Sequence, residues 1–141
     1  MNSDILIRLI SAGALIAIGL LAFRLFQAYS LSRARSQSGG PRLGLESVPA
    51  GQPVLVYFTT PTCAPCKTIQ RPAIQRLQAQ LGEKLRVVEI DASTQPDVAA
   101  AWGILSVPTT FILDRTGAPI HVNHGVAPAG KLLKQLEEVI E

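Results

Sequence analysis

Hydrophobic positions in this chain follow two different regimes. From Leu9 to Phe23 the run is free of charge and almost wholly apolar, on every helical face; extended to Ile5 and Phe26, it carries Arg8 and Arg24 near its ends. Crossing the hydrocarbon core as a helix takes about 20 apolar residues. Residues 5–26 are therefore predicted to form one N-terminal transmembrane helix. Arg8 and Arg24 can snorkel toward the headgroups, and Gly13 and Gly19 are common in membrane helices. A soluble buried helix would not be apolar on all faces. A cleaved signal would need small residues after the apolar core, and Phe26-Gln27-Ala28 puts a bulky one there. An uncleaved anchor is expected. Residues 27–42, including Ser32-Arg33-Ala34-Arg35-Ser36-Gln37-Ser38-Gly39-Gly40-Pro41, are small, polar and without period, and read as a plain linker. Residues 43–141 read as one domain.

Beyond the linker the periods become regular. Val54 to Thr59 is a continuous apolar run between Pro53 and Pro61, as in a buried strand. Lys67 to Leu81 places Ile69, Ala73, Ile74, Leu77 and Leu81 on one helical stripe, ended by Gly82. Pro72 lies inside that helix and predicts a kink. Leu85 to Asp91 reads as a strand. Gln95-Pro96-Asp97 opens a short helix that runs to Trp102 and stops at Gly103. Thr109 to Leu113 and Pro119 to Asn123 are strands joined by the turn Asp114-Arg115-Thr116-Gly117. Ala129 to Glu141 is an amphipathic helix with Leu132, Leu133, Leu136 and Ile140 inward. The first crossover implies parallel strands and the hairpin adds antiparallel ones. The sum is an α/β domain: a mixed four-stranded sheet with helices on both faces.

Length and charge narrow the picture further. A chain of 141 residues holds one globular domain plus something small. The net charge of +3 comes largely from arginines near the apolar segment, and the 5% of aromatic residues are not interleaved with basic ones, which argues against nucleic acid as a partner. Arg24, Arg33, Arg35 and Arg42 follow the anchor, whereas the amino terminus, Asp4 and Arg8 precede it. The positive-inside rule then puts the domain in the cytoplasm. An exported domain behind the anchor is the alternative.

Cys63 and Cys66 are the only cysteines. They cannot build a disulfide-rich scaffold. Any intramolecular disulfide joins these two, and its loop is too short to stabilise the fold much. Two thiols one turn apart at the start of a helix can close and open a disulfide. Cys-x-x-Cys alone is also shared with zinc sites and haem attachment. Cys63, Cys66, His121 and His124 would be the zinc set, but His121 and His124 lie three apart on a strand and face opposite sides. No metal is expected.

Val54–Phe58 leads into Cys63-Ala64-Pro65-Cys66; Trp102-Gly103-Ile104-Leu105-Ser106-Val107-Pro108-Thr109 follows, then Gly125 before the last helix. These features resemble the thioredoxin family from about Pro53 to Glu141. The resemblance implies a thioredoxin-like fold with a shortened N-terminal edge, since only Leu43 to Gln52 is available for the family's first strand and helix. It implies a membrane-anchored thiol–disulfide oxidoreductase acting on disulfide-containing protein substrates. A redox partner would supply electrons, and no cofactor is needed beyond the cysteine pair. Cys63, at a helix N-terminus, would be the nucleophile, because unpaired amides and the helix dipole favour an anion there. Cys66 would resolve the mixed disulfide. Pro65 suits the first helical turn. Ala64, Pro65, Val107, Pro108, His124 and Gly125 would line the substrate site, with the bond before Pro108 cis and the Val107 backbone open to an extended substrate. His121 is expected to face solvent, and Trp102 to pack behind the Pro108 loop.

The departures matter equally. The family's usual buried Asp before the motif reads Tyr57, and its lysine partner reads Val87. The flanking tryptophans read Thr59 and Thr62, and the helix proline falls one residue late, at Pro72. Water, Glu89 or His124 would have to take over proton transfer. Ala-Pro between the cysteines is closer to thioredoxin's Gly-Pro than to the Pro-His of strong oxidants, which points to a reductant. A second class of function is a non-catalytic membrane assembly module that holds a client with its cysteines idle.

Overall fold

A computed structural model describes residues 3–36 and 44–141. Its elements are α1 (Ser3–Ser36), β1 (Val54–Thr59), α2 (Arg71–Leu81), β2 (Arg86–Asp91), α3 (Pro96–Trp102), β3 (Thr109–Leu113), β4 (Pro119–His124) and α4 (Ala129–Ile140). The strands lie in the order β2-β1-β3-β4. β2 is parallel to β1, β3 antiparallel to β1, and β4 antiparallel to β3. Among the described residues no strand precedes β1, in keeping with a shortened edge.

All six side chains of β1 are buried. A continuous apolar run without alternation needs cover on both faces, and the two faces carry two cores. Val54, Val56 and Phe58 pack with Val98, Ala99, Trp102, Phe111 and Ala34. The rings of Phe58, Trp102 and Phe111 meet pairwise at centroid distances of 5.1 to 6.1 Å. Leu55 and Tyr57 point the other way, among Ile74, Leu77, Leu132, Leu136 and both cysteines. Leu132 and Leu136 of α4 are buried as its period requires, and Leu133 and Ile140 are partly so.

The helix after the cysteines departs from the simple stripe. It opens at Ala64 and passes through a π-helical turn, Cys66–Gln70, before α2. The Arg71 amide donates to the Cys66 carbonyl, five residues back. Pro72, in the first turn of α2, has no N–H to give. The widened turn directly before it takes up the break in the ladder, where a kink was expected. The extra residue also shifts the register. Ile69, expected inward, is 52% exposed, and Gln70 is buried in its place.

The second correction concerns residues 27–42. The expected linker is helical as far as Ser36, and the part from Phe26 onward lies against β4 and α3; residues 37–42 lie outside the described residues. Ser30 and Ala34 are buried, so small side chains let the helix approach closely. Arg33 donates to the Ala100 carbonyl at 3.2 Å, and Arg35 to the Pro119 carbonyl at 3.0 Å. Gly103 closes α3 at φ 70°, and a Cβ there would stand 2.9 Å from the Arg33 Cδ. A glycine at that position therefore serves both the left-handed cap and the docked arginine. Residues 3–25 of α1 are exposed throughout. They form a helix long and apolar enough to cross a membrane.

Trp102→Ala would remove the ring shared by Phe58 and Phe111. It is expected to cost about 3–5 kcal/mol, read as a lower urea midpoint for the full chain in detergent with an unchanged slope.

Candidate active site

The sheet pairing assembles one end of the domain. Phe58, near the exit of β1, pairs with Thr109 at the start of β3, and Thr109 pairs with His124 at the end of β4. The cysteine turn follows β1, Val107-Pro108 precedes β3, and Gly125 follows β4, so three loops converge. The Val107–Pro108 bond is cis, and the Gly125 amide donates to the Pro108 carbonyl at 2.9 Å. Gly125 has φ 80°, which a glycine tolerates without strain. Val107 packs against the core cluster that contains both cysteines.

Cys63 and Cys66 are joined as a disulfide, with Cα atoms 5.3 Å apart. Both are buried, Cys66 wholly and Cys63 at 8% exposure, while Ala64 and Pro65 between them are exposed. The Cys66 amide donates to the Cys63 Sγ at 3.2 Å. This is one of the free amides of a helix N-terminus, turned onto sulfur. On the core side the Tyr57 hydroxyl donates to the Cys66 carbonyl at 3.1 Å. Burial raises the Tyr57 pKa above the usual phenol value, so the hydroxyl keeps its proton and acts as a donor, not a base.

Gln70 fixes this helix to the far loop. Its side-chain amide donates to the Ala127 carbonyl at 3.1 Å, and its oxygen accepts from the Ala127 amide at 2.7 Å. The loop carrying Gly125 and the helix carrying the cysteines are thereby held as one piece. A polar residue beside the expected stripe was the only sequence signal for Gln70, and its partner is 57 positions away.

The two histidines separate. His121 bonds Glu138 of α4 at 2.8 Å and is partly exposed. His124 lies on the other face, its ring centroid 4.8 Å from that of Phe26 in α1. Its Nε2 is buried and has no hydrogen-bond partner among the described residues, and desolvation lowers its pKa. Glu89 is exposed on the surface and paired with Arg71 at 2.6 Å. Among the candidate proton carriers, Glu89 is therefore committed elsewhere.

Gln70→Leu strips both partners from Ala127 and is expected to lower stability by about 1–3 kcal/mol, measured by chemical denaturation of the oxidised full chain. His124 gives a signed pH effect. Its folded pKa lies below the unfolded value of about 6.5, so the unfolded chain binds more protons in that window. Its contribution is whole above the unfolded value and is lost as pH falls through the folded one. Denaturation midpoints are expected to drop on acidification below about pH 6.5, and His124→Asn to flatten that slope.

A profile of the thioredoxin family matches residues 46–138. The chain is 37% identical over 90 residues to thioredoxin Y, chloroplastic, of Oryza sativa subsp. japonica, covering 64% of this chain and 52% of that protein. It thus spans about half the length of that relative. It is 35% identical over 86 residues to a thioredoxin-like protein of Synechocystis, covering 61% and 80% of the two chains. With the thioredoxin of Bacillus subtilis it shares 35% identity over 75 residues, 53% and 70% of the chains. A solved structure titled "Structure of a malarial protein" superposes with a TM-score of 0.59 at 17% identity, covering 64% of this chain and 99% of that one, a likeness of fold. Residues 46–138, the four-stranded sheet and the disulfide at the helix N-terminus together place this chain in the thioredoxin family of thiol–disulfide oxidoreductases.

Proposed function

We propose that the protein is a membrane-anchored thioredoxin-like reductase of protein disulfides, with Cys63 as nucleophile and Cys66 as resolving thiol. The observation that carries the reading is the Cys66 amide directed at the Cys63 sulfur. In the reduced protein that amide and the helix dipole favour a thiolate on Cys63. The thiolate attacks one sulfur of a substrate disulfide, forms a mixed disulfide, and releases a substrate thiolate that takes up a proton. Cys66, once deprotonated, attacks Cys63 and releases the second substrate thiolate. Two electrons pass to the substrate and the Cys63–Cys66 disulfide re-forms. A redox partner then resupplies the electrons.

The substrate would lie across Ala64 and Pro65, the Val107 backbone, Pro108, and the corner at His124 and Gly125. The hydrogen bond from Gly125 to Pro108 supports treating these loops as one surface. Cys66 lies behind Cys63 and is fully buried, which suits a thiol that meets only the mixed disulfide. The direction rests on the Ala-Pro insert, nearer Gly-Pro than Pro-His. Anchoring rests on the exposed apolar residues of α1, and a cytoplasmic domain on the arginines that follow them.

The full chain in detergent is expected to reduce insulin disulfides. Cys63→Ser should abolish turnover, and Cys66→Ser should accumulate a mixed disulfide that a non-reducing gel resolves. Equal activity in wild type and Cys63→Ser would leave only a client-holding module. A reduction potential near thioredoxin's roughly −270 mV supports the reductant, and one near −120 mV an oxidant. Retention in membranes after alkaline washing tests the anchor. Protection of the domain from protease in both intact cells and spheroplasts tests its side.

A further inference from the structure

We infer that α1 holds the redox end of the domain against the bilayer surface, so that the substrates are membrane-spanning proteins whose disulfide lies at headgroup level. This rests on the anchoring reading above. The first argument is direction. Phe26 of α1 meets His124 at the exit of β4, and Arg35 meets Pro119 at its entry. The docked end of α1 therefore runs antiparallel to β4, and its membrane-side end lies at the same end of the sheet as Cys63. Phe26 is also the last residue of the apolar run, and α1 continues through it without a break. A continuous helix transmits orientation where a flexible linker would not. Tyr29, exposed three residues on, has the amphipathic ring that favours the interface.

The second argument is the rim. Outside α1, the large exposed hydrophobic side chains among the described residues are Ile69 (52%), Leu105 (79%) and Val126 (38%). Ile69 lies in the π-helical turn three positions after Cys66, Leu105 precedes Val107 by two, and Val126 follows Gly125, so each is close in sequence to one of the three segments that converge. Leu105 also borders an open groove of about 340 Å³ lined by Thr60, Ala99, Ile104 and Val107. On its other side it borders a hollow of about 290 Å³ shared with Phe26 and Tyr29. Leu105 thus borders both hollows, one reaching Phe26 and Tyr29 at the end of the span and the other reaching Val107. The groove reaches Val107, which packs against the cluster that holds both cysteines, so an apolar partner seated there would lie beside the disulfide, and α1 turns it toward partners in the same membrane.

The test uses the full chain in phosphatidylcholine vesicles that retain it after alkaline washing. Two single-span peptides carry the same disulfide loop. In one the loop adjoins the span; in the other a rigid helix of roughly 20 residues lifts it by about 30 Å. Both are confined to the membrane, so only height differs. The near disulfide is expected to be reduced at least about tenfold faster, the gain in effective concentration that fixed geometry gives. The triple change Phe26→Ala, Arg33→Ala, Arg35→Ala should bring the ratio of the two rates toward one. Equal rates in wild type, or a faster distal disulfide, would overturn the inference while leaving the anchored reductase intact. Loss of the chain on alkaline washing would remove the anchor and the inference with it. Leu105→Trp examined in brominated lipid separates the occupants: quenching by the acyl bromines would assign the rim to lipid and overturn the client, and its absence supports a protein partner.

Discussion

Burial of β1 on both faces is the constraint from which the domain follows. Six consecutive buried side chains cannot be served by a sheet with one wet face. α2 and α4 cover the side of Leu55 and Tyr57, whereas α3 and the docked end of α1 cover the side of Val56 and Phe58. Once β1 is central, its pairing with β3, and that of β3 with β4, brings the exit of β1, the entry of β3 and the exit of β4 to one end. The cysteines, Val107-Pro108 and Gly125 lie together because each occupies the loop at that end.

At that end, the helix N-terminus supplies both the polarity and the access. The Cys66 amide meets the Cys63 sulfur, and the Tyr57 hydroxyl meets the Cys66 carbonyl. Gln70 satisfies Ala127 in both directions. Among the described residues no carboxylate is hydrogen-bonded to the cysteine pair. Glu89, the nearest candidate by register with Tyr57, is held at the surface by Arg71. One backbone donor is thus directed at the Cys63 sulfur, while Tyr57, kept protonated by burial, holds the Cys66 carbonyl.

The elements with strong local signals were legible in the residues. The apolar run of β1, the Gly103 stop of α3 and the β3–β4 hairpin all appear where the periods and turn residues put them. Two features were not. The stripe read from Lys67 gave Ile69 to the core, because the period assumes 3.6 residues per turn and a π-helical turn before Pro72 does not keep it. Residues 27–42 read as a spacer, because small and basic residues carry no period of their own. This segment is helical as far as Ser36, where its arginines donate to the Ala100 and Pro119 carbonyls.

The residues alone carried what depends on neighbours along the chain: a buried strand, a helix start, two thiols one turn apart at the junction, and an apolar run long enough to span a bilayer. Tertiary structure decided everything whose partner is remote. Gln70 finds Ala127 across 57 positions, Arg33 finds Ala100 across 67, and Arg35 finds Pro119 across 84. A polar side chain has no period that reveals its partner. Its place is set by whichever unsatisfied group the folded sheet brings within reach.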